Sequence, residues 1–326
     1  MQQIADQVDE LLSTLQSRDE FSGCVLLSKG NEIIIDQGYG YANREHQVMN
    51  TTNTKFRIGS ITKQFTAMAI LMLEEQGVLS VDENLKRFTP SFNYAEQITI
   101  HHLLTHTSGI PNITHIPNFY EFMRHPTTLE NTINQFIHLE PEFKSGTQFK
   151  YSNSGYILLA SIIEQTTNLS YGDFLRQYIF EPINMMNTGC DDHKKIILHR
   201  AQGYEVDSSI VNAEYIDMTL PVGGGNLYST TGDLFKWGQM LNSEYLVKEK
   251  TLKKMFSPYD FGYGYGWFIT SYGNWRQMHH GGGIVGFKNK ITRLADESMT
   301  LIILNNLSST DVDKISNEII RLTSLT

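Results

Sequence analysis

The chain has 326 residues, 40% of them hydrophobic and 19% charged, with 25 glycines and 8 prolines. That is a globular composition with a sizeable core, and it excludes a disordered chain. The formal net charge of −9, with no Lys/Arg-rich block, argues against nucleic acid or an anionic membrane as partner, and two cysteines exclude a disulfide framework or a Cys-based zinc site.

In chain order, residues 1–17 carry Ile4, Val8, Leu11, Leu12 and Leu15, the spacing of an amphipathic helix. Runs 23–28 and 32–38 are β-rich and flank Lys29-Gly30-Asn31, a hairpin turn. Segments 60–76, 99–106, 128–139, 154–167, 171–179, 231–242 and 248–256 read as helices or helical turns between Gly, Pro and Asn loops. The β pattern returns at 263–270, 275–280, 286–293 and 300–305, and a last helix covers about 310–322. Strands at both ends and helices between them predict an α+β fold. In it, one antiparallel sheet is flanked by the terminal helices, and a mainly helical lobe is inserted, with a cleft between the two. The expected division is 1–58 with 262–326 as a discontinuous sheet domain, and 59–261 as the helical domain.

Three boxes carry chemistry. Ser60-Ile61-Thr62-Lys63 opens the most apolar segment of the chain and is its only Ser-x-x-Lys. On a helix it sets a hydroxyl one turn from an amine. Serine needs a base close by, and a lysine serves if burial lowers its pKa. The bland alternative is an N-cap followed by a solvated lysine. Tyr151-Ser152-Asn153 precedes a second apolar helix. A phenol beside an ammonium group has its phenolate favoured, and an Asn amide can hold a substrate carbonyl, although the same residues could serve as a helix cap. His280-Gly281-Gly282-Gly283 ends a predicted strand, where glycines let a substrate lie along the edge and a backbone N–H can complete an oxyanion hole. Alone it reads as a strand-to-turn junction with a surface histidine.

Taken together and in this order, the boxes resemble the serine β-lactamase and penicillin-binding protein superfamily, in its class C-like branch. That branch also holds D,D-carboxypeptidases, D-aminopeptidases and esterases. The likeness extends over Phe56-Arg57-Ile58-Gly59-Ser60, the stretch from Leu103 to Pro111, Tyr151 to Tyr156, Gly224 to Thr230, Tyr263 to Trp267, and His280 to Phe287. It implies Ser60 as acylated nucleophile, with Lys63 and Tyr151 as proton carriers in an order the residues leave open. It implies Asn153, His280 and Gly282 as substrate-binding residues, and the N–H groups of Ser60 and Gly283 as the oxyanion hole. No metal and no cofactor is implied.

One position departs from the pattern. The antibiotic-hydrolysing branch has Lys-Thr-Gly in the third box, and this chain has His280-Gly281-Gly282. An exposed histidine titrates near neutrality, so a substrate carboxylate would be attracted only at lower pH, and efficient β-lactam hydrolysis is not expected. The leading expectation is a serine hydrolase cleaving an amide or ester of a small molecule or peptide, such as a D-amino-acid peptide, an ester or a β-lactam-like substrate. The alternative is a penicillin-binding or scaffold protein that acylates slowly and turns over little. Loops 112–127 and 190–220 are the expected seat of specificity. His101, His102 and His106 lack a metal-ligand spacing, and Gly223 to Asn226 lacks the residues of a phosphate loop, so both read as structure. The N-terminal stretch has no secretory signal and no segment is long enough to span a bilayer, which points to the cytoplasm; a leader or anchor outside this stretch would place the protein beyond it.

Overall fold

The computed structural model describes residues 1–324. Its centre is a six-stranded antiparallel sheet built from both ends of the chain. In chain order the strands are β1 (Gly23–Lys29), β2 (Glu32–Tyr39), β3 (Phe268–Tyr272), β4 (Trp275–Ile284), β5 (Phe287–Leu294) and β6 (Met299–Asn305). Their order across the sheet is β3-β4-β5-β6-β1-β2, so β6 and β1 close the two ends on each other, from Gly23↔Asn305 to Lys29↔Met299.

Side-chain alternation divides the core. Val25 and Leu27 face the terminal helices α1 (Gln2–Ser17) and α6 (Val312–Ser324), together with Leu301 and Ile303. Cys24, Leu26, Ile302 and Leu304 face the helices of the middle segment. Those include α2 (Thr62–Glu75), α3 (Asn153–Thr167), α4 (Thr231–Met240) and α5 (Glu249–Met255). The α+β architecture with an inserted helical lobe is thus the one expected.

Helix α2 is buried on every side from Thr62 to Leu73, as a helix apolar all round must be. Phe65 meets Trp237 at 4.4 Å and Phe180 at 5.4 Å between ring centroids. The helix therefore cannot rotate or slide without voiding the core, and its N-terminal end is held in place.

Two strand expectations are corrected. Residues 263–270 are not extended throughout: the Gly264 N–H bonds back to the Trp267 carbonyl, and regular pairing with β4 begins only at Phe268. Strand β4 does not stop at His280 but runs to Ile284, because Gly281 to Gly283 stay in register with Lys290 to Lys288. Strand β3 reaches only His279, so the last residues of β4 have one free edge. No helix among the described residues is long and apolar enough to cross a membrane.

Phe65→Ala should lower the unfolding free energy by roughly 3–5 kcal/mol, the cost of emptying a fully packed aromatic site. Urea denaturation measures it, and a loss under about 1 kcal/mol would mean that α2 is not packed as described.

Candidate active site

Ser60 lies in a short 3-10 turn, Gly59–Ile61, that leads directly into α2. The turn is fixed from three sides. Arg57 pairs with the fully buried carboxylate of Asp191 at 2.6 Å, and Arg200 grips the other oxygen of that carboxylate at 2.6 Å. The Ile58 N–H donates to the Leu227 carbonyl at 2.9 Å. The third contact is with the free edge of β4. A Cβ on Gly282 would stand 1.9 Å from the Ile58 carbonyl oxygen, and one on Gly59, at φ +51°, would stand 2.8 Å from that of Gly283. Only glycines allow this approach. The buried Asn289 amide fastens it, donating to the carbonyls of both Arg57 and Gly282 at 2.9 Å.

Lys63 is 0% exposed, which removes the reading of a solvated lysine. Its Nζ lies 3.1 Å from Ser60 Oγ, 2.8 Å from Asn153 Oδ1 and 2.7 Å from the Gly224 carbonyl. Burial alone pushes its pKa well below the ordinary lysine value, and no carboxylate among the described residues offsets this. Asn153 is oriented by Asn112, whose Oδ1 accepts from the Asn153 backbone N–H at 3.1 Å and from Nδ2 at 3.3 Å. Asn153 must therefore present Oδ1 to Lys63. Two of the three neighbours of Nζ can only accept, so a neutral amine gives both N–H bonds to them and aims its lone pair at Ser60.

Tyr151 stands beside this pair, with Lys63 Nζ 4.9 Å from its ring centroid. The ammonium position is over the ring face, not at the phenol oxygen. Burial raises the phenol pKa and Ser60 offsets only part of that rise, so the expected phenolate is not favoured. The hydroxyl faces Ser60 but makes no hydrogen bond of ordinary geometry in the resting site. Ser152, the residue at the helix N-cap, makes no capping bond with its side chain, so this box is not spent on capping α3. The Tyr151 ring is held by His106, whose ring lies 4.2 Å away at a tilt of 36°, while His106 Nδ1 accepts the Ser152 N–H at 3.2 Å.

His280 is 2% exposed and is no surface residue. Its Nδ1 donates to the Gly281 carbonyl at 2.6 Å, and its Nε2 accepts from the Tyr263 hydroxyl at 3.0 Å. Burial, then the nearby Lys63, lower its pKa to about 3. The expectation of a charge change near neutrality is therefore corrected: the imidazole is neutral across the physiological range and does not line the cleft.

The cleft in front of Ser60 has a volume of about 450 Å³. Asn153, Gly224 and Gly283 border it beside Ser60, and Ile113, Phe119, Met123, Ile157, Ile216 and Leu220 give it an apolar wall. Glu205 and Glu214 stand on its lining, and no Lys, Arg or His does among the described residues. The structure brings Ser60, Lys63, Tyr151 and Asn153 together and sets Gly282 and Gly283 against the serine turn, with His280 behind them. Sequence reading missed Asn112, Asn289, His106 and the Gly224 carbonyl. Asn112 and Asn289 sit in no periodic pattern, and a backbone carbonyl leaves no residue signature.

A sheet with a helical lobe laid on one face, carrying a serine and a buried lysine where they meet, defines the β-lactamase/transpeptidase-like fold of acyl-transferring serine hydrolases. The beta-lactamase family model matches residues 8–324, and the chain belongs to that family. It is 32% identical over 319 residues to penicillin-binding protein 4* of Bacillus subtilis (strain 168), covering 91% of this chain and 70% of that protein. Among solved structures it resembles the octameric penicillin-binding protein homologue from Pyrococcus abyssi, with a TM-score of 0.85 and 27% identity over 98% of this chain and 77% of that one. It shares the fold of D-amino acid amidase from Ochrobactrum anthropi SV3, with a TM-score of 0.88 and 24% identity over 99% and 98% of the two chains.

Two outcomes follow from this geometry. Gly282→Ala should cut the acylation rate by about 100-fold or more, since the strand and the serine turn must separate by roughly an ångström. Gly283→Ala has open space at the same test position and should fold with unchanged stability. Stopped-flow acylation and thermal denaturation of the pair check this, and equal behaviour of the two would contradict it. The second outcome concerns pH. With His280 neutral, the ratio of kcat/KM for an anionic substrate to that for a neutral analogue should stay flat from about pH 5 to 8. A fall of that ratio through a single ionisation would restore a titrating cation.

Proposed function

We propose that the protein is a serine hydrolase that cleaves amides or esters with an uncharged, apolar acyl group through an acyl-enzyme on Ser60. The observation that carries this is the fully desolvated Lys63, whose two acceptor-only neighbours leave its lone pair for Ser60 Oγ, 3.1 Å away. This favours Lys63 as the first proton acceptor. Ser60 Oγ attacks the substrate carbonyl carbon while its proton passes to Nζ. The N–H groups of Ser60 and Gly283 hold the oxyanion, and Asn153 keeps one amide hydrogen for the substrate. As the tetrahedral intermediate collapses, the leaving amine or alkoxide takes a proton from Tyr151. Its raised pKa keeps the phenol protonated until then, and Lys63 restores it. Water then attacks the acyl carbon and gives a proton to the neutral amine, the bond from Ser60 Oγ to the acyl carbon breaks, Oγ takes that proton back from Nζ, and a carboxylic acid leaves.

The apolar wall and Glu205 set the preference. A carboxylate-bearing substrate finds no cation on the cleft lining and meets the like charge of Glu205, while Glu214 is paired with Arg124 at 2.8 Å, which disfavours both β-lactams and peptides with a free C-terminus. The relatives named as penicillin-binding proteins make a β-lactam a reasonable slow acylating probe. A burst of acylation without turnover on every substrate would favour the slow-acylating alternative.

An activated apolar ester should add one acyl group to the intact protein, mapping to Ser60, and Ser60→Ala should add none. Lys63→Ala and Tyr151→Phe should each slow acylation by roughly 10²–10⁴-fold. Their combination should lose much less than the product, because the two groups move one proton between them. A label on another residue, or fully multiplicative losses, would contradict the assignment.

A further inference from the structure

The catalytic cleft is not the only cavity. A second one, about 660 Å³, opens between the end of α4, helix α5 and the sheet. Leu241, Leu252, Phe256 and Met278 line it, together with Arg276 and Arg293. Arg276 lies on β4, seven residues before Gly283, so this cavity sits roughly 23 Å along the strand from the serine turn.

Arg293 is the anomaly. It occupies β5 opposite Met278 and Thr300, on the sheet face that the helical lobe covers, and it is only 5% exposed. Its Nη2 donates to Asn242 Oδ1, and its Nε has no partner. No carboxylate among the described residues pairs with it, and burial alone lowers its pKa to about 10. The ring of Phe256 lies 5.7 Å from its Cζ. Of the acids lining the cavity, Glu249 is held by Lys253 at 2.7 Å, and Glu244 lies on the turn after α4. Arg276 is exposed and donates to the Phe256 carbonyl at 2.5 Å, which holds a second guanidinium at the same cavity.

A buried guanidinium without a counter-charge is strongly disfavoured, and a bound anion would supply the missing charge. The planar fork of an arginine matches a carboxylate through two parallel bonds. The surrounding surface is apolar, so the ligand's body should be apolar too. We propose that this cavity is a second, non-catalytic binding site for a small organic carboxylate with an apolar body, held by Arg293 and Arg276.

The test uses octanoate as probe, with octanol as the uncharged control, in thermal denaturation and calorimetry. Octanoate should raise Tm saturably with a Kd of about 1 mM or lower, and octanol should not. Ser60→Ala should bind octanoate as the unmodified protein does. Arg293→Met should weaken it at least tenfold, while its own Tm without ligand stays level or rises, since an unpaired buried charge has been removed. Arg276→Gln, a surface change, gives a second reading if Arg293→Met does not fold, and should weaken binding several-fold. A crystal soaked in 4-bromobenzoate should place the bromine signal against Phe256. No binding, undiminished binding in either arginine variant, equal binding of octanol, or a bromine found only beside Ser60 would each overturn the proposal.

Discussion

The burial of Lys63 is the constraint on which the rest of the site depends. An amine taken wholly out of water, with no carboxylate to meet it, is held most cheaply in its uncharged form. Every neighbour is arranged to suit that form. Asn112 turns the Asn153 amide so that its oxygen faces Nζ, and the Gly224 carbonyl takes the other N–H. The position is only possible because α2 is buried on all sides from Thr62 to Leu73 and cannot turn Lys63 toward solvent.

A reactive pair is of use only if the proposed oxyanion donors, the N–H groups of Ser60 and Gly283, are equally well placed, and in this proposal that falls to the sheet. The free end of β4 lies against the serine turn closely enough that a single methyl group would collide with the Ile58 carbonyl. Asn289 fixes the spacing by binding both sides at once. Because β4 is tied through β5 and β6 to β1, the register of the whole sheet determines where the free edge ends up. The terminal helices, far from the chemistry, therefore contribute to it by holding that register against α1 and α6.

The sequence made the architecture legible where a pattern was long and strict. The stripe through Ile4, Val8 and Leu12 and the apolar run from Ala67 to Leu73 in α2 have one structural solution each. The strand limits were less legible, because glycine carries no pattern: Gly264 closes a turn, whereas Gly281 to Gly283 continue a strand. Ser60, Lys63, Tyr151 and Asn153 stood out because they lie in short boxes at helix starts. His280 was picked out as part of a box, and its burial corrects the expectation that its charge changes near neutrality. Burial is set by residues distant in sequence, such as Tyr263, and no local spacing encodes it. Asn112 and Asn289 were invisible for the same reason, as their partners lie 41 residues away in one case and 232 in the other.

The central claim is that Lys63 is uncharged at working pH. Lysine labelled with ¹³C and ¹⁵N, with the Lys63 signal assigned by its loss in Lys63→Met, reports the charge of Nζ directly through its chemical shift as pH is varied. An Nζ that loses its proton at a pH well below the ordinary lysine value is the result this account predicts. An Nζ that stays charged until it titrates with the surface lysines, near the ordinary value of about 10.4, would contradict it.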